Sequence, residues 1–199
     1  SIIFTLINYF LIVVGVLIFH AAFTYSLLLT SLAKINPFIF FTKMREAIIF
    51  AFSTSSSSAT MPVTLKTVEE KLGVDKSVSS FCIPLGTTIN MDGTAIMQGV
   101  ATVFIAQVYQ VDLSMVEYLM VIITATLASI GTAGVPGVGL IMLAMVLQQV
   151  GLPVEGIALI IGVDRLLDML RTAVNVSGDA TISCIVANSE NQLSRKDFI

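Results

Sequence analysis

Six polar side chains near the end of the chain, Asp164, Asp168, Arg171, Thr172, Asn175 and Asp179, recur at three- and four-residue intervals inside an otherwise apolar run. At roughly 100° per residue they fall within about 100° of one another on a helix, forming one polar stripe. Leu166, Leu167, Leu170, Ala173, Val174 and Val176 occupy the rest of the circumference. Arg171 offers a planar fork suited to a carboxylate, and Asp168, one turn earlier, can pair an ammonium. Asn175, one turn later, can donate to a second carboxylate, so a zwitterion with an acidic side chain fits the spacing. Asp179 lies beyond, where backbone carbonyls would complete an oxygen cage for a small cation, and sodium suits such a cage. Four ionisable groups cost roughly 2.5 to 3.5 kcal/mol each at the centre of a spanning helix, about 10 to 14 in all. Such a stripe cannot face lipid.

The elements that must position the stripe are membrane elements. Hydrophobic residues make up 56% of the 199 and charged residues 12%, with mean hydropathy +0.95, whereas soluble domains carry about 25% charged residues. The reading is therefore an all-α integral membrane protein. The net charge of -3 leaves no basic surface for nucleic acid. Cys82 and Cys184 sit in apolar stretches without spaced partners, which argues against a disulfide framework or a metal site. The chain opens on Ser1 and enters a long apolar helix at once, which reads as part of something larger.

Residues 1–33 form a transmembrane helix, and the lone His20 within it reads as a packing residue. Residues 34–76 hold six of the ten basic residues on both flanks of two short apolar arms joined by Ser55, Ser56, Ser57 and Ser58. That pattern predicts a re-entrant hairpin entered from the cytoplasm. Residues 77–110 are long enough to span but are interrupted around Gly86, Asn90, Asp92 and Gly93, where freed backbone and a carboxylate can coordinate a cation. Residues 111–152 repeat the hairpin with a Gly/Pro-rich tip and acidic, not basic, flanks, so this one dips in from outside. The stripe-bearing helix, 153–188, then runs inward to a cytoplasmic tail, 189–199. Hairpin plus interrupted helix, then hairpin plus polar helix from the opposite side, is an inverted repeat, and its two tips are expected to meet near the midplane.

Four ordered motifs carry a family resemblance: Ser55-Ser56-Ser57-Ser58, Asn90-Met91-Asp92-Gly93-Thr94, Ser129-Ile130-Gly131-Thr132-Ala133-Gly134-Val135-Pro136-Gly137, and Asp168 through Asp179. Through them the whole chain resembles the C-terminal portion of the dicarboxylate/amino acid:cation symporters, the glutamate transporter family, whose archaeal member is itself an example of the inverted-repeat rule. The resemblance implies substrate contacts from Ser56, Ser57, Thr94, Gly139, Asp168, Arg171, Thr172 and Asn175, with Arg171 on the side-chain carboxylate and Asp168 on the amino group. It implies one sodium site from Gly86, Asn90, Asn175 and Asp179 and a second, through backbone oxygens, from Thr88, Ser129, Ile130 and Thr132. Asn90 and Asp92 would contribute to a third, completed by an earlier helix.

The chain departs from some members in carrying no arginine at Ser55 or Met169, while Arg165 sits at the edge of the stripe. Asp179, often Asn in proton-coupled relatives, favours sodium. The expectation is a transporter and not an enzyme, without an organic cofactor: sodium-coupled symport of glutamate or aspartate across the plasma membrane by alternating access. The second hairpin would be the outer gate, and an N-terminal scaffold absent from this chain would hold a homotrimer. A C4-dicarboxylate symporter is the nearest alternative. An intramembrane aspartyl protease using Asp92 and Asp179 is a rival from another class, and an internal salt-bridge network, Asp168 with Arg171 and Asp164 with Arg165, is the structural alternative.

Overall fold

A computed structural model describes residues 2–198, and among them the regular structure is entirely helical, with a single isolated bridge between Val74 and Leu193. Helix α1 (Ile2–Phe19) continues through a π-helical segment (His20–Tyr25), the short α2 (Ser26–Leu28) and a second π-helical segment (Leu29–Ala33). Phe4–Ala33 is the one stretch among the described residues both long and apolar enough to cross a bilayer, with mean hydropathy 2.3. The sequence suggests a plain helix here, and the structure instead widens it twice. Pi-segments tend to occur at functional sites because the extra residue re-aims side chains.

Lys34, left-handed at φ 56, stops this helix, and Asn36 starts α3 (Pro37–Thr54) by accepting at Oδ1 from the Phe38 amide, 2.9 Å, with Pro37 in the first turn. The serine run is less of a loop than its composition suggests. Only Ser55, at φ 51, and the extended Ser56 leave helical geometry. Ser56 Oγ then accepts from the Ala59 amide, 3.1 Å, so Ser57 already begins α4 (Ser57–Glu70). Asp75 caps α5 (Lys76–Ile89), and the interruption narrows to Asn90 and Met91 before α6 (Asp92–Val108). Ser114 and Glu117 form a capping box at the start of α7 (Met115–Ile130). Residues 131–137 carry the chain into α8 (Val138–Gln149), with Gly137 left-handed at φ 81.

The last helix, α9 (Ile157–Ser189), has 33 residues and packs against α1, α3, α4, α5, α6 and α8. Two apolar cores lie along it. One gathers Ile160, Leu167 and Val174 with α1, α6, α7 and α8; the other gathers Val176, Ala180, Cys184 and Ala187 with α3, α4 and α5. The polar stripe passes between them. Every residue from Arg171 to Thr181 is buried, so the apolar flanks of the stripe meet other helices and not the surroundings. Apolar side chains cover the outside instead: Leu119, Ile122, Ile123 and Leu127 line one exposed face of α7, and Leu11, Ile12, Phe19 and Phe23 are exposed on and just beyond α1. Polar contacts gather at one end, where Gln192–Ser194 pair with the turn between α4 and α5 through Asp75 N to Gln192 O, 3.0 Å, and Ser194 N to Gly73 O, 2.8 Å.

Candidate functional site

The two links meet. Gly134 O, in the second, accepts from Ser56 Oγ at 2.7 Å and from the Ser58 amide at 3.1 Å. A Cβ on Gly134 would lie 2.8 Å from Ser58 Oγ and 3.3 Å from Ser57 Cβ, so the approach requires glycine. Beneath this junction is a cavity of about 20 Å³ lined by Ser55, Ser57, Thr94, Gly139, Asp168, Thr172 and Asn175 together with the second link. Room for about one water means that a ligand of amino-acid size enters only if the links part.

Of the residues expected at the substrate, Ser57, Thr94, Gly139, Asp168, Thr172 and Asn175 line that cavity, while Ser56 and Arg171 stand just outside the lining. A Cβ on Gly139 would touch Arg171 Nη1 at 3.4 Å, which puts the guanidinium directly behind the start of α8. Arg171, 1% exposed, is held by two acids of its own helix: Nη2 is 2.8 Å from Asp168 Oδ1 and Nη1 is 3.2 Å from Asp164 Oδ1. The second contact is close enough to pair but not aligned for a hydrogen bond, so Nη1 and Nε remain buried without an acceptor. Two buried guanidinium nitrogens without a hydrogen bond are costly unless an acceptor arrives. Asp164 thus pairs with Arg171 and not with Arg165, which is exposed. Asp168 Oδ2 also accepts from the Gly137 amide, 3.0 Å, tying the second link to the stripe.

Asn175 is the junction of the site. Its Oδ1 accepts from the Gly93 amide at 2.8 Å, and its Nδ2 reaches Met91 Sδ at 3.2 Å and Thr94 Oγ1 at 3.4 Å. Gly93 is obligatory there, since a Cβ would stand 2.9 Å from Arg171 O. One turn on, Asp179 Oδ1 accepts from Asn90 Nδ2 at 2.8 Å, and a Cβ on Gly86 would sit 2.6 Å from the same oxygen. Gly86, Asn90, Asn175 and Asp179 are therefore one cluster. Thr88 lies on α5 and Ser129 and Ile130 on α7, two helices in contact; the hydroxyls of Thr88, Ser129 and Thr132 donate within their own turns, to Pro84 O, Thr126 O and Ala128 O, which leaves the backbone oxygens as the groups these residues would offer a cation.

Asn90 and Asp92 point different ways. Asp92 Oδ2 accepts from His20 Nε2 at 2.7 Å and from Tyr25 OH at 2.5 Å, both on the first π-helical segment. His20, which the sequence reads as packing, and Tyr25, which no motif singles out, thus belong to the site. The available signal is the placement of a histidine and a tyrosine in an apolar span, where polar tips need partners. No bond joins Asp92 to Asp179 among the described residues, and their separate partners leave no shared-proton dyad for proteolysis. No group of three or more His, Cys, Asp or Glu suited to a metal occurs among the described residues.

Residues 1–189 match the profile of the Sodium:dicarboxylate symporter family. Excitatory amino acid transporter 1 of Rattus norvegicus is 47% identical over 187 residues, covering 94% of this chain and 34% of that protein. Excitatory amino acid transporter 3 of Mus musculus is 49% identical over 179 residues, 90% of this chain and 34% of the relative. An excitatory amino acid transporter of Caenorhabditis elegans is 47% identical over 178 residues, 89% and 35%. The chain spans about a third of the length of the curated relatives it matches.

Proposed function

The chain belongs to the Sodium:dicarboxylate symporter family, a family of membrane transporters and not enzymes, and on that premise we propose that the full-length protein carries acidic amino acids by sodium-coupled symport. The observation that carries the proposal is Arg171, a buried guanidinium whose Nε and Nη1 make no hydrogen bond, behind a closed cavity lined by Asp168, Thr172, Asn175, Thr94 and Ser57. A substrate side-chain carboxylate would take the free donors of Arg171, and its ammonium would take Asp168. The relatives' printed names, excitatory amino acid transporters, favour the same substrate class.

In this reading α3 with α4 and α7 with α8 are re-entrant hairpins, entered from the cytoplasm and from outside respectively. The second hairpin is the outer gate, since Gly134 and Gly137 tie it across the cavity by only a few hydrogen bonds. Gly86, Asn90, Asn175 and Asp179 hold one sodium; Thr88, Ser129, Ile130 and Thr132 form a second site as the gate closes; Asn90 and Asp92 serve a third. Asn175 touches both the substrate cavity and the Asp179 cluster, which is where coupling passes. The setting is a plasma-membrane homotrimer with a cytoplasmic C-terminal tail.

The test is uptake into proteoliposomes holding the full-length protein. Arg171→Ala is expected to abolish aspartate uptake, and undiminished uptake removes the substrate assignment. Competition by succinate as strong as by aspartate moves the substrate to the C4-dicarboxylates, which lack an ammonium for Asp168. Uptake that runs equally well on a proton gradient without sodium ends the coupling assignment.

A further inference from the structure

The first π-helical segment carries two donors to one oxygen. Asp92 Oδ2 accepts from His20 Nε2 and from Tyr25 OH, while Asp92 Oδ1, among the described residues, accepts from its neighbour's amide alone, Gly93 N, at 3.1 Å. Tyr25 OH also stands 3.1 Å from the carbonyl oxygen of Val174. A phenol has one proton to give, so it serves Asp92 or Val174 O, and at these distances Asp92 has it. The hydroxyl is wedged in place: a Cβ on Gly178 would lie 2.7 Å from it and 2.6 Å from Asn90 Nδ2. Tyr25 is buried at 3% exposure, and its ring edge meets His20 at 4.9 Å between centroids.

We propose that Tyr25 and His20 are positioning residues that hold the Asp92 carboxylate in its cation-free state, Tyr25 turning its proton to Val174 O when a cation takes Asp92. The inference rests on the assignment of Asp92 to a cation. Hydrogen bonds to an empty carboxylate compete with a metal ion for its lone pairs, so the two donors lower the affinity for the cation. They also keep the unloaded carboxylate satisfied. Because Val174 O stands ready as the second acceptor, the phenol keeps a bond in both states, and loading costs less than the full loss of one. The π turn is what makes this possible, since it brings residues 20 and 25 to one carboxylate, a spacing that an unbroken α-helix places about 140° apart.

The experiment is sodium titration of aspartate binding to the purified full-length protein, for the unmodified protein, Tyr25→Phe, His20→Ala and Asp92→Asn. In whichever of the first two variants folds, the sodium midpoint is expected to fall roughly three- to ten-fold, the factor left when part of a hydrogen bond to a charged acceptor is lost. The aspartate midpoint at saturating sodium should stay put. A role in packing alone predicts an unchanged or raised sodium midpoint, and that result in every folded variant overturns the proposal. If Asp92→Asn leaves the sodium dependence intact, the assignment of Asp92 to a cation fails. That outcome is distinct from a shift in Asp92→Asn with none in Tyr25→Phe or His20→Ala.

Discussion

Asp179 and Arg171 are opposite answers to the problem of a buried charge. Asp179, 2% exposed, is met by neutral groups, Asn90 Nδ2 and the Thr87 hydroxyl, whereas Arg171 is braced by the charged Asp164 and Asp168, with Nε and Nη1 making no hydrogen bond. A buried carboxylate met by neutral groups is expected to gain most from a cation, so Asp179→Asn should weaken the sodium dependence of aspartate binding by at least about ten-fold, the scale of losing one charge-assisted contact. Sodium titration of binding checks it, and a midpoint left where it was would detach Asp179 from the ion. Asp164 is the less obvious residue: it pairs with Arg171 from one turn before the cavity without lining it.

At the scale of elements, glycines set how closely helices approach. Gly93→Ala would drive a Cβ into the Arg171 backbone, 2.9 Å from its oxygen and 3.2 Å from its Cα, where neither atom can swing aside. The expected cost is about 1–3 kcal/mol for an overpacked contact, read as a lowered midpoint of thermal unfolding in detergent. The start of α7 makes a pH prediction. Hydrogen bonds from the Ser114 side chain and backbone hold the Glu117 carboxyl below its ordinary value. A lowered folded value means that this cap supports the helix fully above about pH 4.5 and releases it as pH falls through the folded value. Protection of the first-turn amides of α7, measured relative to intrinsic exchange, should therefore fall as pH drops below the ordinary glutamate range, and Glu117→Gln should remove that dependence.

For the molecule as a whole, the fold is two apolar cores separated by a polar layer through which α9 passes, closed by a junction of two links. The junction makes a direct test of gating. Cysteines at Ser57→Cys and Gly134→Cys, in a protein freed of Cys82 and Cys184, stand close enough for a bond, because a Cβ added to Gly134 would lie 3.3 Å from the Ser57 Cβ, against about 3.8 Å in disulfides. Oxidation is expected to abolish aspartate uptake and reductant to restore it. Transport that continues while the bond is shown to be intact would mean that these links do not part during the cycle.

The stripe of α9, the interruption near Asn90 and the serine and glycine links were legible because each is written in local chemistry: periodicity, a poor helix former, a cap. A charged group in an apolar helix carries a cost that can be read without any neighbour, and so Asp164, Asp168, Arg171 and Asp179 declared an enclosed polar face. What encloses it was not local. Burial of α9 on every side from Arg171 to Thr181 depends on helices as far away in the chain as α1 and α3. The turn of Arg171 onto Asp164, the division of Asn90 from Asp92, and the clamp of His20 and Tyr25 on that aspartate all arise from contacts across 67 or more residues or from competition among neighbours on one helix. Sequence determined which groups must be hidden and where the chain must break, because those follow from the cost of each residue in lipid. Tertiary structure decided which hidden group satisfies which, because that choice is made by distance.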